Sequence, residues 1–179
     1  MTPAPRPGNE SDRLRALHEL LILDTPPEEK FERIVRFAAE QMEAPIALVS
    51  LIDDTRLWFK ARVGIDLSET ARDTSFCGHA IVEPDLFVVE DASLDARFAD
   101  NPLVTDGPRI RFYAGAPLSA PGGERIGTLC VIDDKPRQLG AVEVAVLMAL
   151  RDLVNDTLAG KVHEGDTSAD NTRNGHDLP

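Results

Sequence analysis

The sequence predicts an α+β domain organised around an antiparallel β-sheet, and two features support that prediction. Residues 111–133 contain two apolar runs joined by a turn of proline and glycine, as in a β-hairpin. Helical patterns stand at both ends of the chain, outside several strand-like apolar runs. The predicted order is helix, helix, strand, strand, irregular segment, strand, long crossover, strand, strand, helix. That order is typical of a sheet whose helices are segregated to one face.

The hairpin at 111–133 is predicted to lie in the middle of the sheet. Phe112 and its period-2 neighbours lie on one side of the first strand, Tyr113 lies on the other, and neither strand has a polar face. Strands that are apolar on both faces are covered on both faces. Small residues at 114–116 allow a helix or a ligand to approach the sheet closely. We therefore expect helices on one face and a pocket-forming segment on the other.

The ends of the chain set the predicted domain boundaries. Residues 1–10 are rich in proline and residues 161–179 are almost devoid of apolar side chains, so both segments are predicted to be disordered. The globular domain is expected over residues 11–160. Helices are predicted over 11–23 and 141–158, because leucine and valine recur there at helical spacing.

A second helix is predicted to begin after Thr25 and to run to about Met42. Thr25 suits the cap, Pro26 suits the first helical position, and Glu28 stands where a capping box has its carboxylate. The apolar residues of this stretch recur on one stripe, so one side of the helix is expected to face the sheet.

Three further strands are predicted before the hairpin, over 46–52, 57–63 and 86–90, because each is a short apolar run bounded by turn residues. The segments 64–82 and 91–109 are polar and irregular, apart from a short helix expected near the end of the first. A crossover as long as the second is usually functional or pocket-forming in a compact domain. A ligand site is therefore expected beneath these two segments.

Composition excludes several classes of function. The net charge is −12 and the basic residues are scattered, so neither nucleic acid nor an anionic membrane is expected as a partner. The start of the chain lacks the pattern of a signal peptide, and its apolar runs are shorter than a membrane span. Two cysteines, Cys77 and Cys130, do not make a disulfide framework, so a reducing, cytoplasmic location is expected.

A series of motifs runs through the chain in order. The motifs are LDTPPEEKFERIV, PIALVSLIDDTRLWFKARVG, SFCGHAI, VVEDASLDARFADNPLV, IRFYAGAPL and GERIGTLCVIDDKPR. In these motifs the chain resembles a GAF domain over about residues 12–160. It is similar in particular to the bacterial GAF domains that occur alone or in front of histidine kinases and diguanylate cyclases.

The resemblance implies both a fold and a function. The implied fold is a GAF-like central antiparallel sheet of five to six strands, with the terminal helices on one face and crossover loops forming a cavity on the other. The implied function is that of a stand-alone, non-enzymatic module that binds a small molecule or acts as a sensor in bacterial signal transduction. The helices at 11–23 and 141–158 are the expected homodimer surface, and a signalling protein is a further candidate partner. GAF domains differ in their ligands, so the resemblance identifies no cofactor.

The expected ligand site lies between the irregular segments and the sheet. Aromatic and polar side chains are expected to line it, and arginines to meet an anionic or carbonyl group of a small polar-aromatic metabolite. The nominated residues are Trp58, Phe59, Cys77, His79, Asp91, Arg97, Phe98, Arg111 and Tyr113. No metal site is predicted, because the histidines show no ligand spacing. Aspartates at strand ends, such as Asp53 and Asp133, are expected to cap turns.

Cys77 is open to two interpretations. It stands at the start of a predicted short helix with His79 nearby, and such a position lowers the pKa of a thiol, which favours a reactive or redox-sensing residue. Free cysteine is also commonly a small buried side chain, here in the pocket wall. The alternative function is therefore a thiol redox sensor or a methionine-sulfoxide-reductase-like enzyme centred on Cys77.

The chain departs from the enzyme that it resembles around Cys77. Free methionine-(R)-sulfoxide reductases have this fold and another cysteine in the crossover, because their chemistry needs a nucleophilic and a resolving thiol. Residues 95–104 contain no cysteine here, and Cys130 lies within a strand, where it is expected to be inert. We expect no catalytic residues and no reductase activity. Bilin attachment is not expected either, since the phytochrome-like cysteine–histidine pair lies in a different part of the fold.

Overall fold

The computed structural model describes residues 1–170, and it describes the side chains of residues 1–160. The predicted helices and strands occur in the predicted order, with a short strand added in the first irregular segment and a short helix in the crossover. The helices are α1 (Glu10–Glu19), α2 (Glu29–Gln41), α3 (Phe76–Ala80), α4 (Pro102–Thr105) and α5 (Ala141–Asp170). The strands are β1 (Ile46–Ile52), β2 (Arg56–Val63), β3 (Glu69–Ala71), β4 (Phe87–Val89), β5 (Phe112–Ser119) and β6 (Arg125–Asp133).

The strands form one antiparallel sheet of six strands in the order β3-β2-β1-β6-β5-β4. The predicted central hairpin is β5–β6, and β6 pairs with β1 on its other side. Within this register Cys130 lies between Leu48 of β1 and Gly115 of β5, at the middle of the sheet. The α+β class and the antiparallel sheet of five to six strands are confirmed.

Two apolar clusters cover the two faces of the sheet. On the helix face, α1, α2 and α5 pack on alternate strand residues such as Val49, Phe112 and Leu129. On the opposite side, which we call the crossover face, α3 and the irregular segments pack on residues such as Leu48, Tyr113 and Cys130. Period-2 alternation sends neighbouring residues to opposite faces, as for Phe112 and Tyr113. The predicted grouping of the terminal helices on one face is confirmed.

The first two helices begin and end at different residues from those predicted. Helix α1 ends at Glu19, and Leu21 beyond it has a positive φ of 48°. Helix α2 has Glu28 as its N-cap instead of Thr25. Thr25 has other partners, because its hydroxyl donates to the carbonyl of Ile22 at 2.6 Å. Tertiary contacts therefore override the local capping pattern.

Segment 64–82 was predicted to be irregular apart from a short helix, but it also contains strand β3. This strand has three residues, and it pairs with Arg56, Leu57 and Trp58 of β2 at the edge of the sheet. Its sequence, Glu-Thr-Ala, has no apolar alternation that would reveal it. Pairing with β2 is what makes it a strand.

The structure also differs from the predictions at the two ends of the chain. The predicted disordered leader lies against the crossover face, where the amide of Thr2 donates to Arg97 O at 2.9 Å and the amide of Ala4 donates to Asp73 O at 3.1 Å. Helix α5 continues past Gly160 to Asp170, and no proline interrupts this stretch. The rest of the predicted tail, residues 171–179, lies outside the described residues. Over the described part of the chain, no helix combines the length and apolarity needed to cross a membrane.

A buried ionic cluster connects the start of α1 to the β1–β2 turn. The carboxylate of Glu10 accepts hydrogen bonds from Arg13 at 2.9 Å and from Arg72 at 3.2 Å. Both arginines are almost inaccessible, and they also donate to the backbone carbonyls of Ile52 and Asp53. Burial by itself would raise the pKa of Glu10, but the hydrogen bonds from the two arginines outweigh burial and lower the pKa to about 2.

We expect the Glu10 cluster to make the domain lose stability in acid. The folded pKa of about 2 lies below the ordinary value of 4.5, so the unfolded chain binds the proton first as the pH falls. The stabilisation is complete above the ordinary pKa and is lost progressively as the pH falls toward the folded pKa. Denaturant unfolding at a series of pH values measures this slope. Glu10→Gln, which does not ionise, should flatten it, and equal slopes for the two proteins would contradict the assignment.

Candidate functional site: a buried thiol pair and an edge cavity

Helix α3 holds Cys77 against the centre of the sheet. Ser75 caps this helix, because its Oγ accepts a hydrogen bond from the amide of Gly78 at 3.1 Å. The Cys77 side chain is buried on the crossover face. Its Sγ lies 3.9 Å from Sγ of Cys130 on β6. The two cysteines of the chain are therefore neighbours, and both are free thiols.

Hydroxyl groups surround the thiol pair. Tyr113 Oη donates to Cys77 Sγ at 3.3 Å, and Ser50 Oγ donates to the same sulfur at 3.4 Å. Ser50 Oγ lies 2.9 Å from Thr128 Oγ1, directly across the β1–β6 pair. Gly115 makes the tyrosine contact possible, because a Cβ at this position would lie 2.2 Å from Tyr113 Oη. The glycine lets the Tyr113 ring lie along the strand and reach the sulfur.

The two thiols have different acidities. Burial raises the pKa of Cys77, but hydrogen bonds from Cys130, Ser50, Thr128 and Tyr113 outweigh burial and lower it to about 6. The hydrogen bond to Cys77, together with burial, holds the pKa of Cys130 well above its ordinary value. Cys77 is therefore the more acidic thiol of the pair.

Aromatic rings fill the crossover face beside the thiols. The Phe98 ring stacks on Phe76 with centroids 4.1 Å apart, and Phe76 in turn lies 5.3 Å from the ring of Tyr113. His79 and Phe87 meet Phe98 edge-on, at 4.8 Å and 6.3 Å. Phe98 and Tyr113 have no exposed surface. Side chains thus occupy the space around Cys77 where the sequence predicted a ligand cavity.

The structure brings together five of the nominated residues. Cys77, His79, Phe98 and Tyr113 belong to the packed cluster, and the guanidinium of Arg97 lies 5.3 Å from the Phe98 ring centroid. Nε2 of His79 lies 3.1 Å from the carbonyl oxygen of Thr2, and burial lowers the pKa of its imidazole. Arg97 pairs with Asp95 at 2.6 Å, so its charge is already balanced.

The remaining nominated residues have other neighbours. Asp91 Oδ1 accepts hydrogen bonds from the amide and the hydroxyl of Ser93, which is a local turn. Arg111 donates to backbone carbonyls, including that of Val104 at 3.1 Å. Trp58 belongs to the helix-face core and Phe59 to the crossover-face core, as adjacent strand residues must. The nominated residues therefore do not form a single site.

Trp58 and Phe59 line a separate cavity of about 720 Å³ at the β2 edge of the sheet. The α1–α2 connection forms one wall, and the segment after β2 forms another. Acidic and basic residues both line it. The lining residues are Asp24, Thr25, Pro27, Glu32, Trp58, Phe59, Lys60, Ala61, Arg62, Gly64, Ile65, Asp66 and Ser68.

Lys60 fixes the wall of this edge cavity. Its side chain is fully buried, and its Nζ lies 2.6 Å from Glu28 Oε2. The same ammonium group donates to Thr25 Oγ1 at 2.7 Å and to Pro26 O at 2.8 Å. These contacts hold the α1–α2 connection against β2. They also show why Thr25 is not available as the cap of α2.

The sequence reasoning nominated Tyr113 but missed three other groups around Cys77. Cys130 was expected to be inert within its strand, and Ser50 and Thr128 were not among the nominated residues. Thr128 and Cys130 are two positions apart on one strand, so their side chains lie on the same face of the sheet. This spacing was the signal that could have grouped them. In the described part of the chain no group of three or more His, Cys, Asp or Glu residues could hold a metal ion.

Comparison with known proteins agrees with this architecture. A family model described as GAF domain matches residues 26–158. The chain belongs to the GAF domain family. The cyclic di-GMP phosphodiesterase PA2567 of Pseudomonas aeruginosa is 45% identical over 148 residues, a match that covers 82% of this chain and 25% of that protein. The chain therefore spans about a quarter of the length of this curated relative.

Solved structures share the fold at low sequence identity. The GAF domain of an Acinetobacter phosphoenolpyruvate-protein phosphotransferase is 17% identical with a TM-score of 0.57, covering 89% of this chain and 96% of that one. A type II free methionine-R-sulfoxide reductase of Thermoplasma acidophilum is 20% identical with a TM-score of 0.57, covering 74% and 89%. At these identities the likeness concerns the fold alone.

Proposed function

We propose that this chain is a non-enzymatic, small-molecule-binding GAF module of bacterial signal transduction, working in the cytoplasm. The Pseudomonas relative supports a signalling role, because it is a cyclic di-GMP phosphodiesterase and this chain corresponds to only part of it. In this proposal the module regulates an activity and does not carry one. The structural roles of Asp91 and Asp133 are consistent with this, since Asp91 caps a local turn and Asp133 pairs with Arg137 at 3.3 Å.

The edge cavity beside Trp58 and Phe59 is the observation that supports ligand binding. Its volume of about 720 Å³ is in the range of small-molecule sites, which is roughly 300–1,000 Å³. The buried contacts of Lys60 make one wall rigid before any ligand arrives. A preformed wall reduces the ordering cost of binding.

The charges around the edge cavity favour one chemical class of ligand. Asp24, Glu32, Asp66, Lys60 and Arg62 line it. Two of these charges already have partners, since Lys60 pairs with Glu28 and Asp24 pairs with Arg56. A polyanion such as a dinucleotide would meet three carboxylates, whereas a zwitterion presents each charge to an opposite partner. We therefore propose a small zwitterionic or polar metabolite whose apolar part packs against Trp58.

Ligand binding to the edge cavity can be followed by the fluorescence of Trp58, because Trp58 is the single tryptophan of the chain. The amino acids, the common nucleotides and cyclic di-GMP are screened by thermal shift, and hits are titrated by tryptophan fluorescence. We expect an amino acid or related metabolite to raise the unfolding temperature and to change the emission of Trp58. Arg62→Ala should weaken this response, and Arg36→Ala on the exposed side of α2 should not. A screen without any response would overturn the proposal.

We propose that a second copy of this chain covers exposed apolar residues of the helical layer. Val142 and Leu153 on α5 are 77% and 50% exposed, and Phe37 on α2 is 47% exposed. Leu21, just after α1, is also exposed. Val142 and Leu153 are eleven positions apart, about three helical turns, so they lie on the same side of α5, and apolar side chains exposed on one side of a helix are typical of interaction surfaces.

Light scattering after size-exclusion chromatography tests the homodimer. We expect a dimer whose dissociation is promoted by Leu153→Lys, because this change puts a charge into the apolar contact. Leu94→Lys is the matched control, since Leu94 is more exposed but lies on the crossover side of the domain. A monomer at high protein concentration would remove this part of the proposal.

A further inference from the structure

Two thiols from different elements meet beneath the crossover face. Cys77 comes from the short helix α3 and Cys130 from the central strand β6, and their sulfur atoms are 3.9 Å apart. A disulfide needs a separation of about 2.05 Å, so the sulfur atoms must approach by roughly 2 Å. This distance is small enough for a local adjustment and does not require refolding.

Cys77 and Cys130 lie in elements of different rigidity, and this difference indicates which sulfur atom moves when the two approach. Cys130 lies between two paired strands, with Leu48 and Gly115 as its register neighbours. Cys77 lies on a helix of five residues flanked by irregular segments. A movement of α3 or of the Cys77 side chain is therefore less costly than a movement of β6.

We propose that Cys77 and Cys130 form a redox-active dithiol, which hydrogen peroxide converts into an intramolecular disulfide between α3 and the centre of the sheet. Cys77 is the attacking thiol and Cys130 the resolving thiol. The dithiol is separate from the edge cavity of the proposed function. The redox proposal and the ligand-binding proposal can therefore be tested, and can fail, independently.

The surroundings of Cys77 support its role as the attacking thiol. Tyr113 Oη and Ser50 Oγ both donate to its sulfur, so they stabilise a thiolate. Together with the hydrogen bond from Cys130, these donors lower the pKa of Cys77 against the opposing effect of burial. The thiolate is the nucleophile in thiol oxidation, so the more acidic Cys77 reacts first with the peroxide. Once Cys77 is a sulfenic acid, its charge no longer raises the pKa of Cys130, which can then ionise as it attacks.

The reaction balances with hydrogen peroxide as the two-electron oxidant. The Cys77 thiolate attacks one peroxide oxygen, the O–O bond breaks, and hydroxide leaves, which gives a sulfenic acid at Cys77. The sulfur of Cys130 then attacks Cys77 Sγ, and the sulfenic hydroxyl leaves as water with the proton of the Cys130 thiol. The hydroxide takes up the proton released when Cys77 ionised, so two thiols and one peroxide give one disulfide and two waters. A dithiol reductant reverses the change.

The N-terminal segment limits which oxidants can reach the pair. Thr2 O lies 3.1 Å from Nε2 of His79, and Ala4 packs on Gly78 so closely that a Cβ there would lie 2.5 Å from its own Cβ. Residues 2–4 thus cover helix α3. Hydrogen peroxide is little larger than water, whereas glutathione disulfide is far too large to reach Cys77 in the folded domain.

Peptide mapping of the intact chain after peroxide treatment tests the proposal. The reduced protein is treated with hydrogen peroxide, unfolded, alkylated and digested. We expect a Cys77–Cys130 linked peptide, loss of both free thiols, and recovery of both on reduction. The thermal unfolding temperature should rise, because the linkage joins residues far apart in the chain. Glutathione disulfide should react with the folded protein much more slowly than with the chain unfolded in urea.

Variants separate the two roles. Cys130→Ser should stop the reaction at the sulfenic acid of Cys77, which dimedone captures when it is present as the chain is unfolded. Cys77→Ser should leave Cys130 unmodified. The wild-type measurement needs neither variant to fold. Two thiols that remain free after peroxide treatment would overturn the proposal. Irreversible oxidation of Cys77 without a link to Cys130, or disulfides only between molecules, would overturn it as well.

Discussion

Replacing Glu10 by alanine is expected to destabilise the domain by about 3–5 kcal/mol, because it removes one partner of a buried ionic cluster. Arg13 has no exposed surface and Arg72 is 1% exposed. Both guanidinium groups lose their carboxylate in this variant. Their hydrogen bonds to the backbone carbonyls of Ile52 and Asp53 remain, but these neutral groups do not balance two buried positive charges.

The position of the cluster increases the effect. Arg13 belongs to α1, and its other contact is at the end of β1, so the cluster attaches the first helix to the sheet. Arg72 lies in the segment that leads into α3, and it bonds to Glu10 and to the carbonyl of Asp53 after β1. It therefore attaches that segment to the same end of β1. Loss of Glu10 therefore weakens the docking of α1 and of the segment before Cys77 together.

Equilibrium denaturant unfolding at neutral pH measures the free energy of unfolding of the Glu10→Ala variant. Glu19→Ala on the same helix is the control, because Glu19 is exposed, and exposed substitutions usually change stability by about 0.5 kcal/mol or less. A loss below about 1 kcal/mol for Glu10→Ala would show that the cluster contributes no more than a surface ion pair.

Replacing Phe98 by alanine is expected to cost about 3–5 kcal/mol, the range for removing a buried phenylalanine. The Phe98 ring has no exposed surface and contacts Phe76, His79 and Phe87. Phe76 also stacks on Tyr113, with ring centroids 5.3 Å apart, which restricts its movement, so we expect that the neighbours do not close the space completely. A cavity should remain on the crossover face, next to the thiol pair.

Thermal and denaturant unfolding measure this loss, and a small aromatic compound tests its cause. Benzene should restore part of the stability of Phe98→Ala and should have no effect on the wild type, because an apolar cavity stays dry and accepts such a ligand. Leu94→Ala is the control on the same crossover, since Leu94 is 83% exposed. A loss no larger than that of the control would contradict the view that the rings around Phe98 form a packed core.

Much of the fold was predictable because its pattern is local. The alternation of Phe112 and Tyr113 assigned them to opposite faces, and the absence of a polar face placed the β5–β6 hairpin inside the sheet. Where tertiary contacts compete with local preference, the prediction was incomplete. Thr25 is bonded to Lys60 and Ile22 and does not cap α2, and β3 is a strand only because β2 lies beside it.

The candidate site was less predictable than the fold. The sequence nominated Cys77, His79, Phe98 and Tyr113, which the structure brings together, but it grouped Trp58 with them although Trp58 lies on the helix face. It indicated nothing of the charges around the edge cavity or of the Glu10 cluster. These depend on contacts such as that between Glu10 and Arg72, which are separated by 62 positions in the chain.

By itself, the sequence determined the α+β class, the antiparallel sheet and the GAF resemblance, because periodicity and motif order are properties of neighbouring residues. Only the tertiary structure decided that Cys130 is the neighbour of Cys77, 53 positions away. It also decided that aromatic rings fill the crossover face and that residues 2–4 cover α3. Such contacts depend on how distant segments pack against one another, and no local pattern encodes their distances.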